Sequence, residues 1–153
     1  METETRTPTT ESRLANSNSH TSTTSRSIAV PSGWHAGPFD HQRLDAFWVA
    51  LEALVLGDLI ARQLPRGYGS LADQLRRALL HAHVGVAEAA ARTGADREAR
   101  FRAARGETGE AAAALQAVGA LGLASRARVE PVIALLARLC AMLTRLAGLR
   151  GPA

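Results

Sequence analysis

Arginine supplies the most distinctive chemistry in this 153-residue sequence, since all 18 cationic side chains are arginines and lysine is absent. A guanidinium group can hold a phosphate through two parallel hydrogen bonds, and several together could grip a nucleic-acid backbone without reading its bases. Six arginines are the candidates for such a surface: Arg76, Arg77, Arg92, Arg97, Arg100 and Arg102. Their spacing makes binding of RNA or DNA one candidate function.

Acidic residues interleaved with these arginines offer an alternative. The net charge is only +4, and charge-rich helix faces are often solvated without binding anything. In an antiparallel helix pair, Glu88 would come within reach of Arg105, so we expect a structural tie between them. The same geometry would bring Arg77 to Glu110 and tie the same two helices. The alternative function is therefore a scaffold that binds a protein partner and no nucleic acid.

Residues that perform covalent chemistry are sparse. His81 and His83 are two positions apart and point to different helix faces, so we expect a helix contact there and no metal site. Cys140 stands alone among apolar neighbours, which indicates a packed thiol rather than a nucleophile. No acid–base pair or phosphate-binding loop stands out, so we expect a non-enzyme with no catalytic residue, metal or cofactor. A hydrolase or nuclease is a remote option.

The elements that must position these residues are helices. From Pro38 onward, apolar residues recur every three to four positions, and no stretch alternates as a strand would. Breakers divide the pattern into four segments, at about 40–63, 70–94, 96–119 and from near Glu130, because Pro131 fits best in a first helical turn. We predict an all-α fold, an antiparallel up-down-up-down four-helix bundle over residues 38–150.

The apolar spacing also predicts which faces are buried. The core face expected in the first segment is Leu44, Phe47, Leu51, Leu54 or Val55, and Leu59. The third segment has the clearest heptad pattern, in Phe101, Ala104, Thr108, Ala111, Leu115 and Val118. Gly85 and Gly106 predict a close crossing of the second and third helices, because an interior glycine costs a helix about 1 kcal/mol without such compensation.

Apolar residues also exceed what one core face needs. The surplus residues are Trp48, Leu56, Ile60, Leu80, Val84, Ile133, Leu135 and Cys140. They indicate a second apolar face that associates with copies of the same chain. Wide core stripes within a single bundle are the alternative explanation.

Residues 1–33 differ sharply from the rest. They are rich in Ser and Thr, and only Leu14, Ile28 and Val30 are sizeable aliphatic residues. We expect a disordered tail, because such a segment buries too little apolar surface to offset its ordering entropy. No secretory signal and no membrane span is apparent, so we expect a cytoplasmic protein.

A set of motifs in the helical part resembles one bacterial family. The motifs are Leu71-Ala72-Asp73-Gln74-Leu75-Arg76-Arg77-Ala78, then Val86-Ala87-Glu88, Arg92 and Phe101-Arg102-Ala103-Ala104-Arg105-Gly106. In this order they resemble the four-helix-bundle proteins encoded in bacterial 23S rRNA intervening sequences. That family includes the accessory variability protein of diversity-generating retroelements. The sequence departs from the family pattern at His81, His83 and Gly85, and at Glu107, where the family usually has serine.

The resemblance implies a ring-like homo-oligomer, pentameric in the known relatives. In the retroelement branch it also implies a basic surface that binds nucleic acid and a reverse transcriptase as partner. It carries over no catalytic residues. Together, the residues and the resemblance predict a non-catalytic, self-associating bundle that binds nucleic acid through its arginines.

Overall fold

The computed structural model describes His35 and residues 37–149, and it confirms the all-α prediction within them. A short 3₁₀ helix, Asp40–Arg43, precedes four α-helices: α1 (Asp45–Ala61), α2 (Gly69–Ala90), α3 (Gly94–Ala120) and α4 (Arg126–Leu146). No strand occurs in this part of the chain. None of the four helices combines the length and apolar character needed to cross a membrane. The predicted tail, residues 1–33, lies outside the described residues.

The helices form the predicted bundle. Each helix packs against the next, and α1 packs against α4, so the four close into a ring of neighbours. Two contacts fix the antiparallel order of α1 and α2: Phe47 lies against His83, and Asp58 binds Arg76 near the other end. Helices α3 and α4 are also antiparallel, because Arg105 binds Thr144 and Glu98 lies beside Gly148.

The interior contains two apolar clusters, one toward each end of the bundle. The first includes Leu75, Leu79, Leu115 and Leu136, and the second is built around Phe101. All six heptad residues predicted on α3 are buried, as expected: Phe101, Ala104, Thr108, Ala111, Leu115 and Val118. Strict heptad spacing keeps one face of a helix directed at its partners, which is why α3 was the easiest helix to interpret.

The predicted core face of α1 is only partly right: Leu44, Phe47 and Leu54 are half-buried against the apolar clusters, but they do not form the centre of the face. The face that α1 turns inward consists mostly of small residues: Ala46, Ala50, Ala53, Gly57 and Ala61. Val55 and Leu59, two residues expected in the core, are 38% and 48% exposed. A Cβ atom on Gly57 would overlap Leu79 Cδ1. The small residues therefore let α2 come close, while Trp48, Val49 and Ile60 are the large side chains that α1 buries. Trp48 and Ile60 are thus not part of the expected second apolar face.

Helices α2 and α3 cross closely, as predicted, but the α3 residue differs. A Cβ atom on Gly85 would lie 3.1 Å from the Cβ of Ala104, whereas one on Gly106 would meet nothing within 4 Å. Gly106 is two residues beyond Ala104, which turns it roughly 200° around the helix and out to solvent. The helix cost of Gly106 is therefore not offset by packing.

Helix α4 begins one turn earlier than predicted. Its first residue is Arg126, and the carbonyl of Ser125 accepts hydrogen bonds from the backbone N–H groups of Arg128 and Val129. Pro131 therefore lies in the second turn, where it is exposed and removes one helical hydrogen bond. Burial of Val129, which is 4% exposed, provides a reason for the extra turn.

Candidate nucleic-acid interface

The six predicted arginines all lie on α2, on α3 or in the turn between them, but most are already engaged. Within the described residues, Arg77 and Arg97 are the two without a carboxylate partner. The other four form ion pairs, in which Arg76 binds Asp58, Arg92 binds Asp96, Arg100 binds Glu88 and Arg102 binds Glu98. Each of these four arginine side chains is 37–45% exposed. Exposed pairs of this kind contribute about 0–1 kcal/mol each, so a phosphate can compete for the guanidinium.

Two of the predicted arginines meet in one pocket at the α2–α3 turn. Arg92 and Arg97 line a pocket of about 390 Å³ together with Arg43, which follows Asp40 in the 3₁₀ helix. Backbone and side-chain atoms of Ala90, Ala91 and Thr93 complete the wall, with Leu44 on the other side. We call this the turn pocket. Three arginines share one concavity there.

The electrostatics of the turn pocket favour an anion. Three arginines and one acidic residue, Asp40, line it, and Asp96 nearby accepts two hydrogen bonds from Arg92 Nη1, at 3.0 and 2.8 Å. Helix α3 begins at this pocket, and the Thr93 side chain makes no capping hydrogen bond to it. The first N–H groups of a helix lack backbone partners and carry a partial positive charge. The helix start therefore adds to the field of the arginines.

Arg97 is held in position by an aromatic ring. Its guanidinium carbon lies 5.5 Å from the centroid of the Phe101 ring, one turn along α3. Phe101 itself is fully buried in the core. Stacking on a fixed ring restricts the guanidinium without using its hydrogen-bond donors, so they stay available for a ligand.

Sequence reasoning missed Arg43. It is separated from Arg92 by nearly fifty residues, and no local motif links them. The signal that could have found it is the topology, because an up-down bundle places the start of the first helix beside the turn between the second and third. Arg77, by contrast, lies toward the middle of the bundle, and the structure does not bring it to the turn pocket.

The three predicted tie residues do contact neighbouring helices, but the predicted pairs are wrong. Glu88 of α2 binds Arg100 of α3, not Arg105. Glu110 is reached through Gln74, whose Nε2 donates to Glu110 Oε2 at 2.9 Å. Arg77 then donates to Gln74 Oε1 at 2.8 Å, so Gln74 bridges the two residues that were expected to meet directly. Arg105 turns the other way, toward α4.

The contact of Arg105 with α4 is a chain of hydrogen bonds. Arg105 Nε donates to Thr144 Oγ1 at 2.9 Å, and that hydroxyl donates to the backbone oxygen of Cys140 at 2.8 Å. Thr144 is 7% exposed. A buried hydroxyl that donates and accepts is fully satisfied, so this chain links α3 to α4 rather than forming a reactive site. Cys140 is half-buried and contributes its backbone, not its thiol.

The two histidines of α2 have separate surroundings. His81 is exposed, with Nδ1 3.7 Å from Glu107 Oε2, and it lines an α2–α3 groove of about 300 Å³ with Gly85, Glu88 and Arg100. Each carboxylate in this groove has a basic partner. In the described range, no group of three His, Cys, Asp or Glu side chains is arranged to hold a metal ion.

His83 belongs to an aromatic stack at the start of α1. Its ring centroid lies 4.4 Å from that of Phe47, which lies 4.4 Å from that of His41. The Nδ1 atom of His83 is buried and has no hydrogen-bond partner among the described residues. Burial lowers the pKa of His83 below 6.5, and the nearby His41 lowers it further, against a smaller opposing contribution from the Phe47 backbone. His83 therefore packs against a helix, as predicted, in its neutral form.

Asp58 anchors two arginines near the opposite end of α1. Partial burial alone would raise the pKa of Asp58, but hydrogen bonds from Arg76 and Arg62 outweigh it and hold the pKa below its ordinary value. The bonds to Arg76 and Arg62 measure 3.0 and 2.6 Å. Arg76 is thereby committed to the α1–α2 contact, so it is the least suitable of the six for binding a ligand.

Comparison with known proteins adds no relative. No protein-family model matches the sequence, and no curated protein matches it.

Proposed function

We propose that this protein is a non-catalytic four-helix module that binds the phosphate backbone of nucleic acid and associates with copies of itself. The observation that supports nucleic-acid binding best is the turn pocket, in which Arg43, Arg92 and Arg97 line one concavity at the start of α3. Three guanidinium groups against Asp40 and the partly engaged Asp96 leave a net positive site. Such a site holds phosphate oxygens by charge-assisted hydrogen bonds and does not distinguish bases.

The absence of lysine supports phosphate as the ligand, because every cationic side chain is a guanidinium group. A guanidinium is planar and offers five donors, and it sheds water more readily than an ammonium group, so it suits phosphate better than a flexible lysine does. Phe101, the aromatic residue beside Arg97, is fully buried, so it offers no surface on which a base could stack. We therefore propose binding that depends on charge and not on sequence.

Exposed apolar side chains on α1 and α2 support self-association. Val55 and Leu59 are exposed on α1, and Leu80 and Val84 are 47% and 40% exposed on α2. The two residues on each helix are four apart and so share one face of that helix, and exposed aliphatic side chains on a shared face can form a contact surface. A ring-like, pentameric assembly and a reverse transcriptase partner belong to the same proposal, and they rest on the resemblance of the sequence motifs alone.

A salt titration tests the proposal. We expect the protein to bind a short mixed-sequence single strand, with affinity that falls by about tenfold or more between roughly 50 and 200 mM salt, because phosphate contacts release counterions. The double variant Arg43→Gln/Arg97→Gln should bind more weakly and with a shallower salt dependence. Arg66→Gln is the matched control, since Arg66 is exposed in the α1–α2 connection at the opposite end of the bundle. Fluorescence anisotropy measures both quantities.

The second candidate is the scaffold function, and one observation favours it. Four of the six predicted arginines are held in ion pairs within the chain, as structural ties would be. Under this alternative the exposed apolar side chains bind a protein partner, and the arginines keep the bundle in register. Absence of strand binding even at low salt would support the scaffold and contradict nucleic-acid binding.

A further inference from the structure

We infer that the turn pocket recognises the terminal phosphate of a nucleic-acid strand, a phosphate monoester, in preference to the phosphodiesters inside the strand. This inference rests on the proposed function and adds which part of the strand the pocket takes. Three observations support it. Three arginines line one pocket, the pocket carries a net positive charge, and the arginines farther along α3 are held in ion pairs.

The donors converge on one concavity instead of following a track. Arg43 approaches from the 3₁₀ helix, Arg92 from the α2–α3 turn and Arg97 from the first turn of α3. Arg92 uses a single nitrogen, Nη1, for both of its hydrogen bonds to Asp96, so its Nε and Nη2 atoms stay available. The Arg97 guanidinium carbon lies 5.5 Å from the Phe101 centroid, and a cation–π contact uses none of its hydrogen-bond donors. Three directions of approach suit a group with three terminal oxygens.

Charge also favours the monoester. Three guanidinium groups and the carboxylates of Asp40 and Asp96 sum to about one positive charge, and the start of α3 adds roughly half a charge more. A phosphate monoester carries about −1.5 to −2 at neutral pH and presents three acceptor oxygens. An internal phosphodiester carries about one negative charge and presents two free oxygens. The monoester therefore matches both the charge and the donors of the pocket more fully.

The arginines farther along α3 do not extend the site. Arg100 is bound to Glu88 and Arg102 to Glu98. A strand that ran along α3 would place its next phosphates against these ion pairs, each of one arginine and one carboxylate with no net charge. Arg92 is also paired, but Arg43 and Arg97 line the pocket with it and have no carboxylate partner among the described residues. A phosphate in the turn pocket is then bound much more tightly than a phosphate at the neighbouring positions along α3. A single tight phosphate site favours the terminal phosphate of a strand, because that phosphate carries more charge and more free oxygens than the internal ones.

Paired strands test the inference directly. Two strands of about 12 nucleotides, identical in sequence, carry either a 5′-phosphate or a 5′-hydroxyl group, and anisotropy measures their affinities at low salt. We expect the phosphorylated strand to bind about tenfold more tightly or better, as a lost charge-assisted contact would give. The preference should disappear in Arg43→Gln, whose side chain is exposed and unpaired in the described chain, and persist in Arg66→Gln. Arg97→Lys should keep part of the affinity and lose most of the preference, because lysine retains the charge but not the fork of donors.

The outcomes separate this inference from the proposed function. Equal, salt-dependent binding of the two strands would overturn the terminal-phosphate inference and leave nucleic-acid binding intact. Failure of both strands to bind at low salt would overturn both. Inorganic phosphate is the third probe, and we expect it to displace the phosphorylated strand only at concentrations far above the strand's own dissociation constant. If it competes as strongly as the strand, the ligand is free phosphate and the assignment to a strand end is wrong.

Discussion

At the residue scale, the partners of each arginine matter more than the number of arginines. Arg76 is committed to Asp58, and Arg105 to Thr144. Arg43, which has no local motif around it, lies in the pocket with Arg92 and Arg97. The candidate site therefore shares Arg92 and Arg97 with the predicted one, adds Arg43, and leaves out Arg76 and Arg77, which lie away from the α2–α3 turn. Only the tertiary structure separates an arginine that ties two helices from one that faces solvent.

His83 makes stability depend on pH. Because burial lowers its pKa below 6.5, the folded chain resists a proton that the unfolded chain accepts. The free energy of unfolding should therefore be at its full value above about pH 6.5 and should fall as the pH drops through the lowered pKa. Urea unfolding at about pH 7.5 and about pH 5.5 measures this difference.

The variant His83→Phe isolates the effect, since a phenyl ring can keep the stack on Phe47 without titrating. We expect a smaller loss of stability on acidification in His83→Phe than in the wild type. An unchanged pH dependence in His83→Phe would show that His83 is not the group responsible.

At the element scale, the close contacts between helices depend on small residues that a hydrophobic pattern does not reveal. Helix α1 turns alanines and Gly57 toward the core, and α2 places Gly85 against Ala104 of α3. Packing density in protein interiors leaves no room for an added methyl group at such points. These contacts set the distances between the helices and so the shape of the grooves between them.

Two glycine-to-alanine substitutions test this view in opposite directions. Gly57→Ala should lower the free energy of unfolding by about 1–3 kcal/mol, because the added Cβ overlaps Leu79 in the core. Gly106→Ala should raise it by up to about 1 kcal/mol, because alanine favours the helix and nothing lies within 4 Å of the new atom. Urea unfolding measures both changes, provided that the slope of the free energy of unfolding against urea concentration is the same in each variant as in the wild type. A stabilising Gly57→Ala would contradict the close α1–α2 approach.

The sequence predicts the helices well and their faces unevenly. Strict heptad spacing identified the buried face of α3, because Phe101 and Leu115 leave no competing orientation. In α1, leucines and valines occur on every side of the helix, so the positions of large apolar residues do not identify the buried face. That face contains several alanines and Gly57, which a pattern of large residues does not reveal. Pro131 misplaced the start of α4, since the preference of proline for a first turn is outweighed here by burial of Val129.

The candidate site was only partly predictable for a different reason. Arg92 and Arg97 were identified from local clustering, whereas Arg43 reaches them only because the bundle closes. The expected Glu88–Arg105 pair did not form because Arg105 lies five residues beyond Arg100, about 140° around α3, and therefore faces α4 while Arg100 faces Glu88. The spacing of residues in the sequence gives the helical turn on which a side chain lies, but not which residue of a neighbouring helix it contacts.

At the scale of the whole molecule, the two ends of the bundle differ. One end carries the turn pocket, where arginines outnumber carboxylates. At the other end, Arg62 binds Asp58 and Arg126 binds Glu130, while Arg128 donates to Gln63. Arginines exceed carboxylates among these residues at both ends, so the ends differ in arrangement rather than in net charge, because three arginines line one pocket at the first end. Under the proposed function a strand binds in that pocket, and the exposed apolar side chains on α1 and α2 contact a second copy.

Amide chemical-shift mapping tests the central claim most directly. A ¹⁵N-labelled sample titrated with a short 5′-phosphorylated strand at low salt should show its largest shift changes at Arg43 and across residues 90–97, with little change around Arg66 and Arg128. Changes confined to the opposite end, or no change at any strand concentration, would contradict the assignment of the turn pocket as the nucleic-acid site.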